Sequence, residues 1–333
     1  MSYREIPKDK ILKFPATPGF KGWKQYFTDE SVSHPAKMNL NLLRWILETY
    51  TKPGEIVLDP MAGTGSTIVL ASLLGRQGIA VEYEPRFCEM IRENIKRTSR
   101  QSTLTPKGRM TCIQGDAREL SKLLGESDAI ITSPPYSGRT EHRLGYDYQK
   151  RDEERGHKAY KGHRESYSSD PNNISNLPHG DIDSIVTSPP YEQTASSKQH
   201  GRDPKPHLAQ GGIGCENINL GYSDDEDNIG NLKSESYLEA MLQVYRECWK
   251  VLKHSGKLIL VTKNFIRDKK VVRLDLDTIK LCEAAGFRLS DRWYFKLPTR
   301  SFWRILYRRK YPDVPEVEYE DVLVFTKEAE SNG

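Results

Sequence analysis

From residue 55 onward, short apolar strands alternate with amphipathic helices, which predicts an α/β protein on a mostly parallel, doubly wound sheet. Three observations carry that expectation. Val57-Leu-Asp-Pro-Met-Ala-Gly-Thr-Gly-Ser66 reads as a buried strand that passes through a glycine-rich turn into a helix. The pentapeptide Thr-Ser-Pro-Pro-Tyr occurs twice, at 132–136 and 187–191, each copy capping an apolar run. The length, 333 residues, suits one large domain with an elaboration or two small ones.

Residues 38–50 have helical spacing at Leu42, Leu43, Ile46 and Leu47, and the pattern stops before Pro53-Gly54. A short strand is expected over 55–59, a helix after Gly65 that ends near Gly75, and a second strand over 78–82. Residues 85–97 put Phe87, Met90, Ile91 and Ile95 on one stripe, with Pro85 suited to a first helical turn. Residues 110–114 and 129–132 read as further strands. Ser236-Tyr-Leu-Glu239 has the form of a capping box. The helix it opens is expected to bury Leu238, Met241, Leu242, Tyr245 and Leu252 and to end at Gly256. A strand over 257–262, a helix over 276–285 and closing antiparallel strands over 288–297 and 321–327 complete the reading.

Between 137 and 233 the composition turns to Gly, Ser, Asn, Asp, His and Lys, and apolar periodicity fades except before the second pentapeptide. The copies stand 55 residues apart, 132 to 187. Residues 167–177 match 222–232 at the same offset, with seven of eleven positions identical. A duplicated substrate-side segment inserted into one domain is therefore expected; two copies are too few for a solenoid. The resulting division is an extension at 1–30, a cofactor half at 31–136, the insertion at 137–233 and the remainder at 234–330.

Composition narrows the function classes. Charged residues make up 29% and hydrophobic residues 36%, and no run approaches the roughly 18–20 apolar residues of a membrane span. The first residues carry no signal-peptide core. Five scattered cysteines without a CxxC pair argue against a disulfide framework and a zinc site, and for a reducing cytoplasm. Net charge is only +4, but residues 296–311 concentrate Lys296, Arg300, Arg304, Arg308, Arg309 and Lys310 with no acid. Phe302, Trp303, Tyr307 and Tyr311 are interleaved, a combination that neutralises phosphates and stacks on bases. Arg300, Trp303, Arg304, Arg308 and Arg309 are the expected nucleic-acid contacts; a solvated basic face is the competing reading.

In doubly wound sheets a ligand sits at the carboxyl ends of the strands, where the first strand meets its helix. Ala62, Gly63 and Gly65 let backbone N–H groups approach it, and the helix N-terminus favours an anionic group. Glu82 follows on the next strand at the spacing of a ribose-binding acid, and Asp116 after the third strand suits an adenine amino group. A nucleoside-bearing ligand fits all of these. The wording differs from both the P-loop and the Gly-x-Gly-x-x-Gly fingerprint.

With Ser133-Pro-Pro-Tyr136, the segment 59–65 resembles the amino-methyltransferase family that uses S-adenosylmethionine to methylate exocyclic amino groups of bases. Ser33-His-Pro-Ala-Lys-Met38 resembles that family's additional cofactor motif. The resemblance implies a seven-stranded Rossmann-like methyltransferase sheet with a large irregular insertion. It assigns Asp59, Ala62, Gly63 and Gly65 to the methionine end of the cofactor, where the motif containing His34 packs, Glu82 to the ribose, and Tyr83 and Asp116 to the adenine, with Met61 and Ala117 as further cofactor contacts. In the family, Ser-Pro-Pro-Tyr is typical of cytosine-N4 enzymes and Asp-Pro-Pro-Tyr of adenine-N6 enzymes.

The chemistry of the motif follows from the substrate. An aromatic amine delocalises its lone pair, so both N–H groups must be held while that lone pair turns to the methyl donor. Ser133 hydroxyl and Pro134 carbonyl suit the two hydrogens, Pro134 and Pro135 fix the backbone, and Tyr136 stacks on an extruded base. Ser188, Pro189, Pro190 and Tyr191 repeat the set. The first copy follows Gly115-Asp-Ala117 at ordinary spacing and is expected in the catalytic place. The second leaves three readings open: the true site, a second wall of the target pocket, or a decayed duplicate. Cytosine-N4 methylation of DNA is the expected activity, with ribosomal RNA as the alternative polymer and adenine-N6 as the alternative position. A non-catalytic nucleic-acid-binding protein is the rival of another class. No metal and no membrane partner are expected.

Overall fold

The computed structural model describes residues 3–17, 21–33, 38–124, 182–187, 234–267, 269–298 and 309–327. Ten strands lie among them: β1 Ile11–Leu12, β2 Ile56–Asp59, β3 Gln77–Glu82, β4 Met110–Gln114, β5 Ile182–Thr187, β6 Leu252–Thr262, β7 Phe265–Arg267, β8 Lys270–Val272, β9 Phe287–Lys296 and β10 Tyr319–Lys327. Eight form one sheet in the order β1-β9-β10-β6-β5-β2-β3-β4. β4, β3, β2, β5 and β6 run parallel, and β10 enters antiparallel between β6 and β9. The sheet is thus the doubly wound α/β sheet that the alternation predicts, with a two-residue edge strand added to seven longer ones.

Among the described residues seven helices flank it: α1 Asp29–Ser33, α2 Leu40–Tyr50, α3 Ser66–Leu73, α4 Pro85–Arg100, α5 Leu120–Leu123, α6 Ser234–Val251 and α7 Leu274–Ala284. The alternation of strand side chains sends residues to two cores. Leu58, Ile79, Val81 and Leu260 pack with Tyr237, Met241, Val244 and Tyr245 of α6 and with Cys282 of α7. Val57, Ile259 and Val261 pack on the other face with Leu42, Leu43, Ile46 and Leu47 of α2 and with Val69 and Leu70 of α3. Asn39 starts α2 as its cap, its side chain accepting from the N–H groups of Asn41 and Leu42.

One expected boundary changes, one expected strand is not described, and one strand is added. The expected strand at 129–132 lies outside the described residues, and the position between β2 and β6 is held by β5, the strand that leads into the second pentapeptide. The first copy, expected at the end of the fourth strand, itself lies outside the described residues. The helix expected to run to Gly256 ends at Val251, and β6 begins at Leu252. Leu252 is fully buried, pairs with Ile182, and its carbonyl accepts from Lys327 Nζ at 2.7 Å, so sheet pairing wins over helix continuation. Finally, β1 joins the sheet edge parallel to β9, an addition that two residues of sequence could not announce.

The segment before β1 is tied to the closing strands. Arg4 donates to Asp275 at 3.0 Å and to Asp321 at 2.6 Å, and both carboxylates are fully buried. Arg292 donates to the same two carboxylates. Asn264 Nδ2 donates to the Tyr3 hydroxyl at 3.1 Å, while its Oδ1 accepts from Asp275 N.

Candidate active site

Parallel strands bring their carboxyl ends to one edge of the sheet, and the candidate residues follow from that edge. β2 ends at Asp59 and β3 at Glu82, and Asp116 stands two residues beyond β4. Leu58 is level with Ile185 across the β2–β5 pair, so Thr187 leaves the sheet at the same end as Asp59. The four strand ends that border the candidate site are therefore neighbours in the order β5, β2, β3, β4.

The loop after β2 is built around backbone geometry. Met61 N donates to the Asp59 carboxylate at 3.3 Å, Ala62 N to the Val81 carbonyl, and Gly65 N to the Ala62 carbonyl at 2.8 Å. Gly65 has φ +75°, and a Cβ there would stand 2.9 Å from Cγ1 of Ile91. Both its left-handed backbone and the close helix α4 require glycine. Gly63, also at positive φ, borders open space: a Cβ built on it meets nothing within 4 Å.

Glu82 crosses to this loop. Its carboxylate accepts from Gly63 N at 2.7 Å and from Glu84 N at 2.9 Å. Burial raises its pKa to about 7, against the lowering effect of those N–H donors. The Tyr83 backbone N–H lowers it too, so three donors share roughly four lone-pair positions and the carboxylate keeps room to accept from a ribose hydroxyl. Gly63 and Glu82 together thus fit a nucleoside-bearing cofactor. Asp116 differs. Arg118 donates to it from its backbone N at 2.8 Å, from Nε at 3.1 and 3.0 Å, and from Nη2 at 2.6 Å. Its acceptor positions are occupied by one arginine, so an adenine amino group would share or displace that arginine.

Sequence reasoning missed two supports. Asn94, fully buried on the apolar stripe of α4, donates to the Thr64 carbonyl and the Ser31 hydroxyl, each at 2.9 Å, and accepts from Thr28 N at 2.8 Å. It joins the loop to α1. An asparagine three residues beyond Ile91 on an otherwise apolar stripe was the available signal. Arg118 had no signal beyond its place after Asp116-Ala117. Of the remaining candidates, Met61, Ala62 and Ala117 are buried, and Tyr83 is partly exposed beside Glu82. His34, both Ser-Pro-Pro-Tyr segments, Arg300, Trp303, Arg304 and Arg308 lie outside the described residues; Arg309 is exposed. Among the described residues no His, Cys, Asp and Glu cluster could hold a metal, and no helix is long and apolar enough to cross a membrane.

Comparison with known proteins adds to this geometry. Residues 7–93 match the family profile of the N6/N4 methyltransferases, described as DNA methylase. A stretch of 104 residues is 33% identical to the tRNA (guanine(10)-N2)-dimethyltransferase of Methanothermobacter thermautotrophicus, covering 31% of this chain and 29% of that protein. The type II methyltransferase M.BamHI of Bacillus amyloliquefaciens is 34% identical over 71 residues, 21% of this chain and 16% of that protein. The DNA adenine methyltransferase YhdJ of Escherichia coli K12 is 36% identical over 66 residues, 20% of this chain and 22% of that protein. The matched stretches span less than a third of each of these relatives.

Proposed function

We propose that this chain, whose residues 7–93 match the N6/N4 methyltransferase family, uses S-adenosylmethionine to methylate an exocyclic amino nitrogen of a base in nucleic acid. The amino group is cytosine N4 and the polymer is DNA. The observation that carries the reading is the position of β5, whose last residue, Thr187, leaves the sheet beside Asp59 and the glycine-rich loop and is followed in sequence by Ser188-Pro-Pro-Tyr191. The second pentapeptide is accordingly the working copy.

Gly63, Gly65 and Glu82 would hold the cofactor, with Glu82 accepting from the ribose hydroxyls. Bound S-adenosylmethionine supplies an electrophilic methyl group on a sulfonium. The chain's part is orientation: Ser188 hydroxyl and Pro189 carbonyl accept the two amino hydrogens and turn the nitrogen lone pair toward the donor. Pro189 and Pro190 remove backbone freedom that would otherwise be lost in reaching that geometry. Tyr191 offers a stacking face to the extruded base. No covalent bond to the protein is needed.

The serine in place of an aspartate supports cytosine N4. The tRNA relative supports structured RNA as a second polymer, and the adenine relative supports N6 as a second position. The test is transfer of labelled methyl to duplex DNA, to ribosomal RNA and to transfer RNA, followed by nucleoside identification by mass spectrometry. N4-methylcytosine in DNA is the expected product. Label confined to RNA, or to N6-methyladenine, replaces the polymer or the position; absence of label in every polymer overturns the function.

A further inference from the structure

β6 leaves the sheet at the catalytic edge, and after Lys263 and Asn264 the chain turns into the β7–β8 hairpin. Phe265 pairs with Val272, Ile266 with Val271 and Arg267 with Lys270, which leaves a two-residue loop. Lys269 in that loop has φ 62° and is the non-glycine residue with positive φ among those described. A left-handed conformation costs an L-residue about 1–2 kcal/mol, and glycine would avoid that cost. A lysine standing where the backbone favours glycine points to a use for its side chain.

Lys269 Nζ stands 4.8 Å from the ring centre of Tyr311, and Lys310 Nζ stands 5.5 Å from the same ring. The hairpin tip therefore meets the end of the basic, aromatic segment 296–311. On the hairpin itself the Arg267 guanidinium lies 5.2 Å from the Phe265 ring. Neighbouring cations are neutralised: Lys263 lies 4.0 Å from Glu320, and Arg273 pairs with Asp275 at 2.8 Å. Lys269, Lys270, Arg309 and Lys310 are exposed, and among the described residues none of them forms an ion pair.

We infer that the β7–β8 hairpin and Arg309-Lys310-Tyr311 form one surface that grips the phosphodiester backbone beside the catalytic edge. The inference rests on the nucleic-acid reading above and adds to it the place where the polymer is held. Four cations that form no ion pair among the described residues suit successive phosphates, and the partly exposed Tyr311 keeps Lys269 and Lys310 beside one another. Such contacts position the polymer without reading its sequence.

The test uses the full chain with Lys269→Gly, Lys270→Ala and Lys310→Ala combined, and Lys269→Gly alone. The single variant keeps the turn's preferred backbone and guards against misfolding in the triple one. Binding to a fluorescent DNA duplex and to a stem-loop RNA is followed by anisotropy across a salt series, with S-adenosylhomocysteine titrated by calorimetry in parallel. The expected result is an affinity about tenfold or more lower for the triple variant. The slope of log K against log salt should fall by about 0.9 for each phosphate that the variant no longer neutralises, with cofactor affinity unchanged. The polymer whose binding falls identifies the source of the backbone. If affinity and slope stay at wild-type values while the protein binds and methylates nucleic acid, this surface is the wrong one and the activity stands. If the wild-type chain binds cofactor yet neither binds nor methylates either polymer, the surface and the proposed function fall together.

Discussion

Glu82 holds a carboxylate at the floor of the cradle with its pKa raised to about 7 by burial. The direction sets two opposite pH effects. In the ligand-free protein the raised value contributes stability that is present below 4.5 and lost as pH rises through about 7. In the proposed role a ribose hydroxyl would donate to the ionised form, so cofactor affinity should move the other way. Raising pH from 6 to 8 should tighten S-adenosylhomocysteine binding about tenfold, because the ionised fraction grows by that factor around such a pKa. Glu82→Gln should flatten this profile in calorimetry and weaken binding at pH 8. A profile unchanged by that substitution would remove Glu82 from the cofactor site. At this scale the sequence was informative because strand ends carry recognisable residues: Asp59, Glu82 and Asp116 each follow an apolar run. Arg118 was opaque, since only the folded turn reveals that its guanidinium and backbone N both reach Asp116.

Elements were legible where one face is apolar and a cap or glycine marks the end. α2 and α4 follow their stripes, and α3 is stopped by Leu74-Gly75, Gly75 having φ 80°. They were less legible where tertiary pairing overrides local preference, as where β6 takes Leu252 from the preceding helix. The tie between the N-terminal segment and the closing strands belongs to the same class. Arg4 is separated by 271 residues from Asp275 and by 317 from Asp321, a range at which no local pattern operates. Burial would raise Asp275, but the hydrogen bonds and charges of Arg273 and Arg292 outweigh it and bring its pKa down to about 2. Burial pushes Asp321 up even beside Arg4 and Arg292. The stability that Asp275 contributes is therefore present above 3.8 and lost as pH falls toward 2. Arg4→Ala removes one partner from two buried carboxylates and should cost about 3 kcal/mol in urea unfolding at neutral pH. A loss under about 0.5 kcal/mol, the range of an ordinary surface substitution, would show that Arg292 alone satisfies both carboxylates.

Across the whole molecule, the sheet order decides which parts of a long chain share the catalytic edge. β5 lies 68 residues beyond the end of β4 in sequence, from Gln114 to Ile182, yet it pairs with β2, the strand that carries the cradle. Spacing favoured the first pentapeptide because it lies close behind Asp116. Both copies follow apolar runs of the same form, Asp-Ala-Ile-Ile and Asp-Ser-Ile-Val, so local sequence offered little basis for choosing between them. Pairing with both β2 and β6 is a property of the assembled sheet, and it favours the second. The most direct measurement is methyl transfer to DNA by Ser133→Ala and Ser188→Ala, each with cofactor affinity measured in parallel. Ser188→Ala should reduce kcat about 100-fold or more, the scale of removing one oriented hydrogen-bonding group, with cofactor affinity retained and Ser133→Ala near wild type. Abolished transfer in Ser133→Ala with full activity in Ser188→Ala would overturn the assignment of the second copy and return the first to the catalytic place.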